Sequence, residues 1–264
     1  MDLWNPETFD AALCETLTTH SDLVSDYFAE ELHVMNEHLN SDPYESLKSN
    51  KYYENYLSLI EHTLTPLLNE RRIRVWHYTR LLDDEVAAMQ KKLKPSTILG
   101  LRQRLDSLVL KGLLTLQESQ IVYNESPLHA QESTRSHQVC TIAVPSAPDY
   151  SSVVPLLESW GGESAYFWLS DETVLAKLKT IGTPRIVEIE TGLGDSSNAF
   201  SAAKTAAQAW ARTLGVAVDV SVIAVTIKEC LGTARVLRVH TADYGVFEGV
   251  ATTYPSGCGR LLAE

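Results

Sequence analysis

Two polar side chains that follow a predicted strand are the first residues in this sequence with a capacity for chemistry. Residues 74–77 are rich in β-branched and aromatic side chains, which predicts a short strand ending at His77. Thr79 follows two positions later, with Tyr78 between them. Imidazole and hydroxyl groups can donate and accept hydrogen bonds. We therefore expect this stretch to hold a ligand.

Two helices are predicted directly after this strand. An acidic pair beginning at Asp83 can cap the first, and Ser96 can cap the second, which covers residues 97–111. The second helix has an apolar stripe at helical spacing, formed by Ile98, Leu101, Leu105, Leu108 and Val109. Arg102 and Arg104 lie off this stripe, which predicts solvated side chains.

A second candidate segment begins with two glycines. The turn Gly161–Glu163 allows a close approach of backbone to another group and adds a carboxylate. Residues 164–169 predict a strand that carries Tyr166, and Ser170 can cap a helix after it. The alternating residues 185–190 predict the next strand.

The order of these pieces resembles the ADP-ribosyltransferases, enzymes that split NAD and transfer ADP-ribose. The shared features are a strand ending in His-x-Thr, a helix, Pro-Ser-Thr, and a Gly-Gly-Glu turn before an aromatic residue. The resemblance implies that His77 and Thr79 hold the adenosine ribose and the nicotinamide amide. It implies that Tyr166 stacks on the nicotinamide ring, and that Tyr78 and Ser96 also contact NAD, which is the substrate.

The resemblance also implies a catalytic carboxylate. Cleavage of the bond between nicotinamide and ribose passes through an oxocarbenium-like state, which a nearby carboxylate stabilises. The family usually places this glutamate at the start of a late strand, but no Glu-x-Glu pair precedes the last predicted strand here. We expect Glu248, within that strand, to be catalytic, ahead of Glu163 in the glycine turn and Glu229 before the strand at Arg235.

Other interpretations of these residues stay open. His77 is also compatible with a hydrogen-bonded core histidine, and Tyr166 with ordinary packing. His129, His137 and His240 show no metal-ligand spacing. A Ser-His-Asp triad assembled in space is not excluded by sequence, although no Gly-x-Ser-x-Gly elbow is present.

Length and composition predict a cytoplasmic protein. The 264 residues are 44% hydrophobic, and no stretch approaches the roughly 20 apolar residues that span a bilayer. The first residues do not form a secretory signal. Four cysteines without CxxC spacing predict inert thiols in a reducing compartment.

The net charge of −12 is confined to the first quarter of the chain. Residues 1–70 contain 14 acidic and two basic residues, whereas residues 71–264 contain 20 of each. This asymmetry predicts an acidic helical module at 1–70 that engages a cationic protein partner or an antitoxin. Helical periodicity covers residues 7–39 and 51–64, the latter with several tyrosines.

The rest of the chain predicts an α+β fold, in which a mixed β core with helices follows the acidic module. Residues 117–150 predict a long irregular connection, and residues 198–214 a helix. Strands are predicted at residues 216–227, 235–241 and 245–254.

Two functions are therefore expected from sequence. The first is ADP-ribose transfer from NAD to a macromolecular acceptor (protein, DNA or RNA), in a toxin or a phage-conflict effector, as the resemblance implies. The alternative is a non-catalytic binding or inhibitory protein whose acidic helices engage a basic partner.

Overall fold

The computed structural model describes residues 1–40, 49–194 and 196–242. Within these residues the helices are α1 (Ala11–Thr19), α2 (Ser21–Asn40), α3 (Tyr53–Leu59), α4 (Thr65–Asn69), α5 (Asp83–Lys91), α6 (Ile98–Leu110), α7 (Leu116–Asn124), α8 (Glu132–Arg135), α9 (Val154–Glu158), α10 (Glu163–Tyr166), α11 (Glu172–Leu178) and α12 (Ser196–Thr213). The strands are β1 (Arg72–Leu81), β2 (Val139–Ile142), β3 (Thr183–Gly192), β4 (Ala224–Ile227) and β5 (Arg235–Thr241). A π-helical turn, Ile60–Leu64, links α3 to α4.

The five strands form one antiparallel sheet in the order β4-β2-β1-β3-β5. This sheet and its surrounding helices confirm the α+β fold class. The ten-residue strands β1 and β3 pair along their whole length, with His77 opposite Val187. Six of the ten residues of each strand are buried, as expected for central strands covered on both faces. No helix in the described ranges is long and apolar enough to cross a membrane.

The first helices pack into the same hydrophobic cluster as the sheet. Leu13 and Leu17 of α1 are fully buried in it, together with Ile73 and Val75 of β1. Helix α12 contacts α2 and α4, and its inner face consists of alanines, which permit close packing. Residues 1–70 therefore share a core with the sheet.

Helices α6, α7 and α11 pack around a second cluster. Its buried members include Leu105, Leu108, Val122, Trp160 and Leu178. The predicted apolar stripe of α6 is confirmed, because Leu101, Leu105 and Leu108 are its buried residues. This cluster fixes α6 beside the Gly161–Glu163 turn.

Three secondary-structure predictions are wrong in part. Residues 164–169 do not form a strand, because the turn at Gly162 (φ 60°) leads into helix α10, and no strand of the described sheet is available to pair with them. Residues 117–150 contain α7, α8 and β2, and a reciprocal capping box between Thr115 and Glu118 begins α7. Of residues 216–227 only β4 is a strand.

Residues 216–223 do not form a strand because their backbone has another hydrogen-bond partner. The backbone N–H of Ser221 donates to the side-chain oxygen of Gln208 on α12 at 2.9 Å, which replaces a strand ladder. The predicted strand at 245–254 and Glu248 lie outside the described residues.

Candidate ligand-binding cleft

A cleft of about 710 Å³ lies between the sheet and the two helices that follow β1. Its walls come from β1, β2, the α5–α6 segment and the turn Gly161–Ser164. The volume falls within the range of small-molecule and cofactor sites. The predicted residues that line it are His77, Tyr78, Thr79, Ser96 and Glu163.

His77 lines the cleft with its ring fixed in one orientation. Its Nδ1 lies 2.8 Å from the carbonyl oxygen of Cys140 on the neighbouring strand. A carbonyl only accepts, so Nδ1 carries the proton and Nε2 is the accepting nitrogen of the neutral ring. Burial is the main cause that lowers the pKa of His77, and the positive charge of Arg104 lowers it further. The hydrogen bond to the Cys140 carbonyl raises the pKa but does not outweigh these two effects. The imidazole is therefore neutral at pH 7.

Thr79 lies on the same face of β1 as His77, because side chains two positions apart share a face. It is buried and lines the cleft. Tyr78 points to the opposite face, where its hydroxyl donates to the carbonyl oxygen of Ser146 at 2.8 Å and accepts from the Ser146 N–H. The Tyr78 side chain therefore anchors the loop after β2, and its hydroxyl is already hydrogen-bonded; its contact with NAD stays a prediction.

Ser96 is held at the mouth of the cleft by its backbone. Its N–H donates to the carbonyl oxygen of Gln138, and its own carbonyl accepts from the N–H of His137. Thr97, not Ser96, is the N-cap of α6, because its hydroxyl oxygen accepts from the N–H of Gly100 at 2.9 Å. The Ser96 side chain is thus left available to a ligand.

Glu163 begins helix α10 at the edge of the cleft and forms an ion pair with Arg135, which also lines it. Arg135 is further fixed by Gln131, and its guanidinium lies 4.9 Å from the centre of the Phe167 ring. The negative charge of Glu163 also reaches two neighbours. Burial is the main reason that the pKa of Cys140 is raised, and the Glu163 charge is the second. The same two causes, in the same order, raise the pKa of Tyr166 to about 12.

The other predicted site residues are Tyr166, Glu229 and Glu248. Tyr166 lies beside Glu163 on α10 but is not among the residues that line the cavity, so this geometry does not place its ring for stacking there. Glu229 begins the 3₁₀ turn between β4 and β5, and its predicted catalytic role stays a prediction. Glu248 falls outside the described ranges. Glu163 lines the same cleft as His77 and is the candidate glutamate whose side chain lies within the described part of the chain.

The sequence predictions missed a second set of cleft residues, Glu85 and Arg104. Glu85 on α5 accepts from Nε of Arg104 at 2.7 Å and from the indole N–H of Trp160 at 2.9 Å. The Arg104 guanidinium lies 4.4 Å from the centre of the Trp160 ring. The prediction that Arg104 is solvated is wrong. The sequence shows Glu85 in the first turn of α5 and Arg104 off the apolar stripe of α6, but no local sequence pattern predicts that the two residues pair.

Comparison of the chain with protein-family models, with curated proteins and with solved structures found no match.

Proposed function

We propose that the cleft binds NAD and that the protein transfers ADP-ribose from NAD to a macromolecule, releasing nicotinamide. The observation that carries this proposal is the convergence of His77, Thr79, Ser96 and Glu163 on one cavity. These residues come from three separate parts of the sequence. They are also residues that the resemblance to ADP-ribosyltransferases singles out.

The cleft has groups that suit the polar parts of NAD. The neutral His77 ring offers Nε2 as an acceptor for a ribose hydroxyl or for the N–H of the nicotinamide amide. The Thr79 and Ser96 hydroxyl groups supply further donors and acceptors beside it. A cation at His77 would lose this acceptor, so the lowered pKa favours the function.

The chemistry assigned to Glu163 is electrostatic. The bond between the nicotinamide nitrogen and ribose C1′ breaks, its electron pair leaves with nicotinamide, and positive charge develops on the ribose. A carboxylate held beside that charge lowers the barrier. The acceptor nucleophile then forms a bond to C1′ and loses its proton.

Arg135 has a positioning role in this scheme. Its ion pair orients Glu163 at the edge of the cleft, and its contact with Phe167 fixes the arginine in turn. The ion pair with Arg135 reduces the effective negative charge of the Glu163 carboxylate. Because the Glu163 side chain is 44% exposed, this partner screens it only in part.

The test is nicotinamide release from NAD by the full chain. We expect Glu163→Gln to lower release at least about a hundredfold, as loss of one preorganised charge-stabilising group does elsewhere. We expect His77→Ala to lower it by roughly tenfold or more, through the loss of one oriented hydrogen bond.

Glu158→Gln is the matched control. Glu158 is 49% exposed and ion-paired with Lys179 at 2.9 Å, but it does not line the cleft. Its substitution should leave release unchanged. If the wild-type protein releases no nicotinamide with any cell lysate, the enzymatic proposal is wrong and the binding-protein alternative gains support.

The acceptor class needs a separate experiment. Wild-type protein incubated with NAD labelled on the adenine and with whole lysate should transfer label to macromolecules. Loss of that label after protease treatment identifies a protein acceptor, and loss after DNase or RNase identifies a nucleic acid. Label that stays with the small molecules would mean that NAD is hydrolysed and not transferred.

A further inference from the structure

The Arg104 guanidinium lies at the cleft with most of its hydrogen-bonding capacity unused. Of its five N–H groups, one is engaged, from Nε to Glu85. Neither terminal nitrogen has a hydrogen-bond partner among the described residues, and Nη2 is buried. Nη1, in contrast, is not among the enclosed atoms, so a ligand in the cleft can accept a hydrogen bond from it.

Glu85 accepts one hydrogen bond from Arg104 and does not take up this remaining capacity. Its Oε1 accepts from Arg104, and its Oε2 accepts from both Trp160 Nε1 and the backbone N–H of Leu82, each at 2.9 Å. The carboxylate thus fixes the orientation of the guanidinium from one side. The indole ring of Trp160 stacks on the guanidinium of Arg104.

Arg104 differs in this respect from the other cations of the cleft. Arg135 is engaged by Glu163, Gln131 and Phe167. Lys92 and Lys94 are exposed, on flexible and strongly hydrated side chains. Arg104 is the cleft cation that is both anchored and free to accept an anion.

The first turn of α6 adds positive potential to the same cleft. Thr97, Leu99 and Gly100 line the cleft, and the helix that starts there is 13 residues long. Thr97 satisfies the N–H of Gly100, whereas the N–H groups of the first two helical residues point out of the helix end. Such an end attracts phosphate groups.

We propose that Arg104, together with the first turn of α6, binds the phosphate groups of the ligand in the cleft. On the proposed function, on which this identification of the ligand rests, these are the pyrophosphate groups of NAD. A charge-assisted hydrogen bond from a guanidinium with a fixed orientation suits a phosphate oxygen. It would hold the dinucleotide by its centre while His77 and Glu163 act on the ribose.

The experiment compares Arg104→Gln with Arg102→Gln in the full chain. Arg102 is a close control: it lies on the same helix, pairs with Asp106 at 3.1 Å and lies 5.3 Å from the centre of the Tyr123 ring. Its side chain is 32% exposed, against 34% for Arg104, but it is not a cleft residue. Both substitutions remove an ion pair and a ring contact, and only one removes the proposed phosphate ligand.

The probes are ADP-ribose, inorganic pyrophosphate and adenosine, with binding measured by calorimetry. We expect Arg104→Gln to weaken ADP-ribose binding by roughly 10- to 100-fold, the loss of one charge-assisted hydrogen bond. Pyrophosphate binding should fall in parallel, adenosine binding should change by less than about threefold, and Arg102→Gln should match the wild type.

Two results would overturn the phosphate subsite. One is an equal loss of adenosine and ADP-ribose binding in Arg104→Gln, which would make Arg104 a support of the cleft walls. The other is a wild-type protein that binds neither ADP-ribose nor pyrophosphate. If the wild type binds pyrophosphate through Arg104 but neither binds ADP-ribose nor cleaves NAD, the subsite stands and the proposed NAD function is wrong.

Discussion

Glu188 on β3 and His240 on β5 are diagonal neighbours, with 2.6 Å between the carboxylate Oε1 and the imidazole Nε2. Both side chains are almost fully buried. The second carboxylate oxygen of Glu188 lies 3.3 Å from Nη1 of Arg74 on β1. Arg74 also holds Asp2 through two nitrogens, at 2.7 and 2.5 Å. A polar chain therefore runs across three strands to the first residues of the protein.

The first prediction concerns the centre of this chain. Glu188→Ala should lower the free energy of unfolding by about 3 kcal/mol, because it leaves the buried His240 without its carboxylate partner and removes one of the two carboxylates that contact Arg74. Glu190→Ala is the control: it removes an ion-paired carboxylate from the same strand, but its partners Arg72 and Arg235 are exposed. It should cost no more than about 1 kcal/mol. Urea denaturation measures both, and equal costs would show that the Glu188 network is not a stabilising one.

The second prediction concerns the support of Arg104. Glu85→Ala removes acceptors from Arg104, Trp160 and the first turn of α5, so it should cost roughly 2–4 kcal/mol of unfolding free energy. The neighbouring Asp84→Ala removes a 2.6 Å pair with Lys111, but Asp84 is 63% exposed. Its loss should cost less than about 1 kcal/mol. A Glu85 variant as stable as the Asp84 variant would contradict the described network.

The third prediction uses the neutral state of His77. The pKa of His77 is below its ordinary 6.5 in the folded protein, so the unfolded chain binds more protons in the interval between the two values. Its contribution to stability is therefore complete above pH 6.5 and is lost as the pH falls from there to the folded pKa. His77→Gln, which can still donate to the Cys140 carbonyl, removes this loss.

The measurement is the difference in unfolding free energy between wild type and His77→Gln from pH 8 to pH 5. The unfolding free energy of the variant should rise relative to that of the wild type as the pH falls below 6.5. A difference that stays constant over this interval would mean that His77 titrates alike in the folded and unfolded states. Nicotinamide release by the wild type should likewise persist below pH 6.5, until His77 is protonated.

The predictions from sequence were correct where the information is local. The existence of strand β1 follows from the density of β-branched and aromatic residues, but the strand continues past the predicted end at His77 to Leu81. Helices α5 and α6 follow from apolar periodicity, but their N-caps are Leu82 and Thr97 and not the predicted Asp83 and Ser96. Residues 164–169 show the limit of this reasoning. Their aromatic side chains favour a strand, but strand formation requires a partner, and the turn at Gly162 directs the chain into α10 instead.

The candidate site was predictable only in part for the same reason. His77, Thr79 and Ser96 were recognisable because each lies next to the end of a predicted element. The pairs Glu85–Arg104 and Arg135–Glu163 join residues that are 19 and 28 positions apart, and only the packing of separate helices brings them together. Whether the Tyr78 side chain points toward the cleft depends on which face of β1 forms the cleft, and the sequence does not predict that face.

The last prediction concerns the acidic first 70 residues. Deletion of residues 1–65 should abolish folding, because it removes Leu3, Leu13, Leu17, Ile60 and Leu64, all fully buried, from the cluster shared with β1. At about 1.5–3 kcal/mol for each side chain, their loss is comparable to the whole stability of a typical domain. Circular dichroism of the truncated chain is the measurement. A soluble, cooperatively folding product would instead support an independent module.

Point substitutions separate this core role from partner binding. Leu17→Ala should cost about 2–5 kcal/mol, whereas Leu32→Ala, at a position 37% exposed on α2, should cost far less. Asp22→Asn with Asp26→Asn changes two exposed acids on the same helix and should leave the fold intact. If residues 1–70 bind a cationic protein, this double variant should weaken its capture, and the wild-type complex should weaken as salt rises. Capture that is unaffected by charge or salt would contradict the cationic-partner prediction.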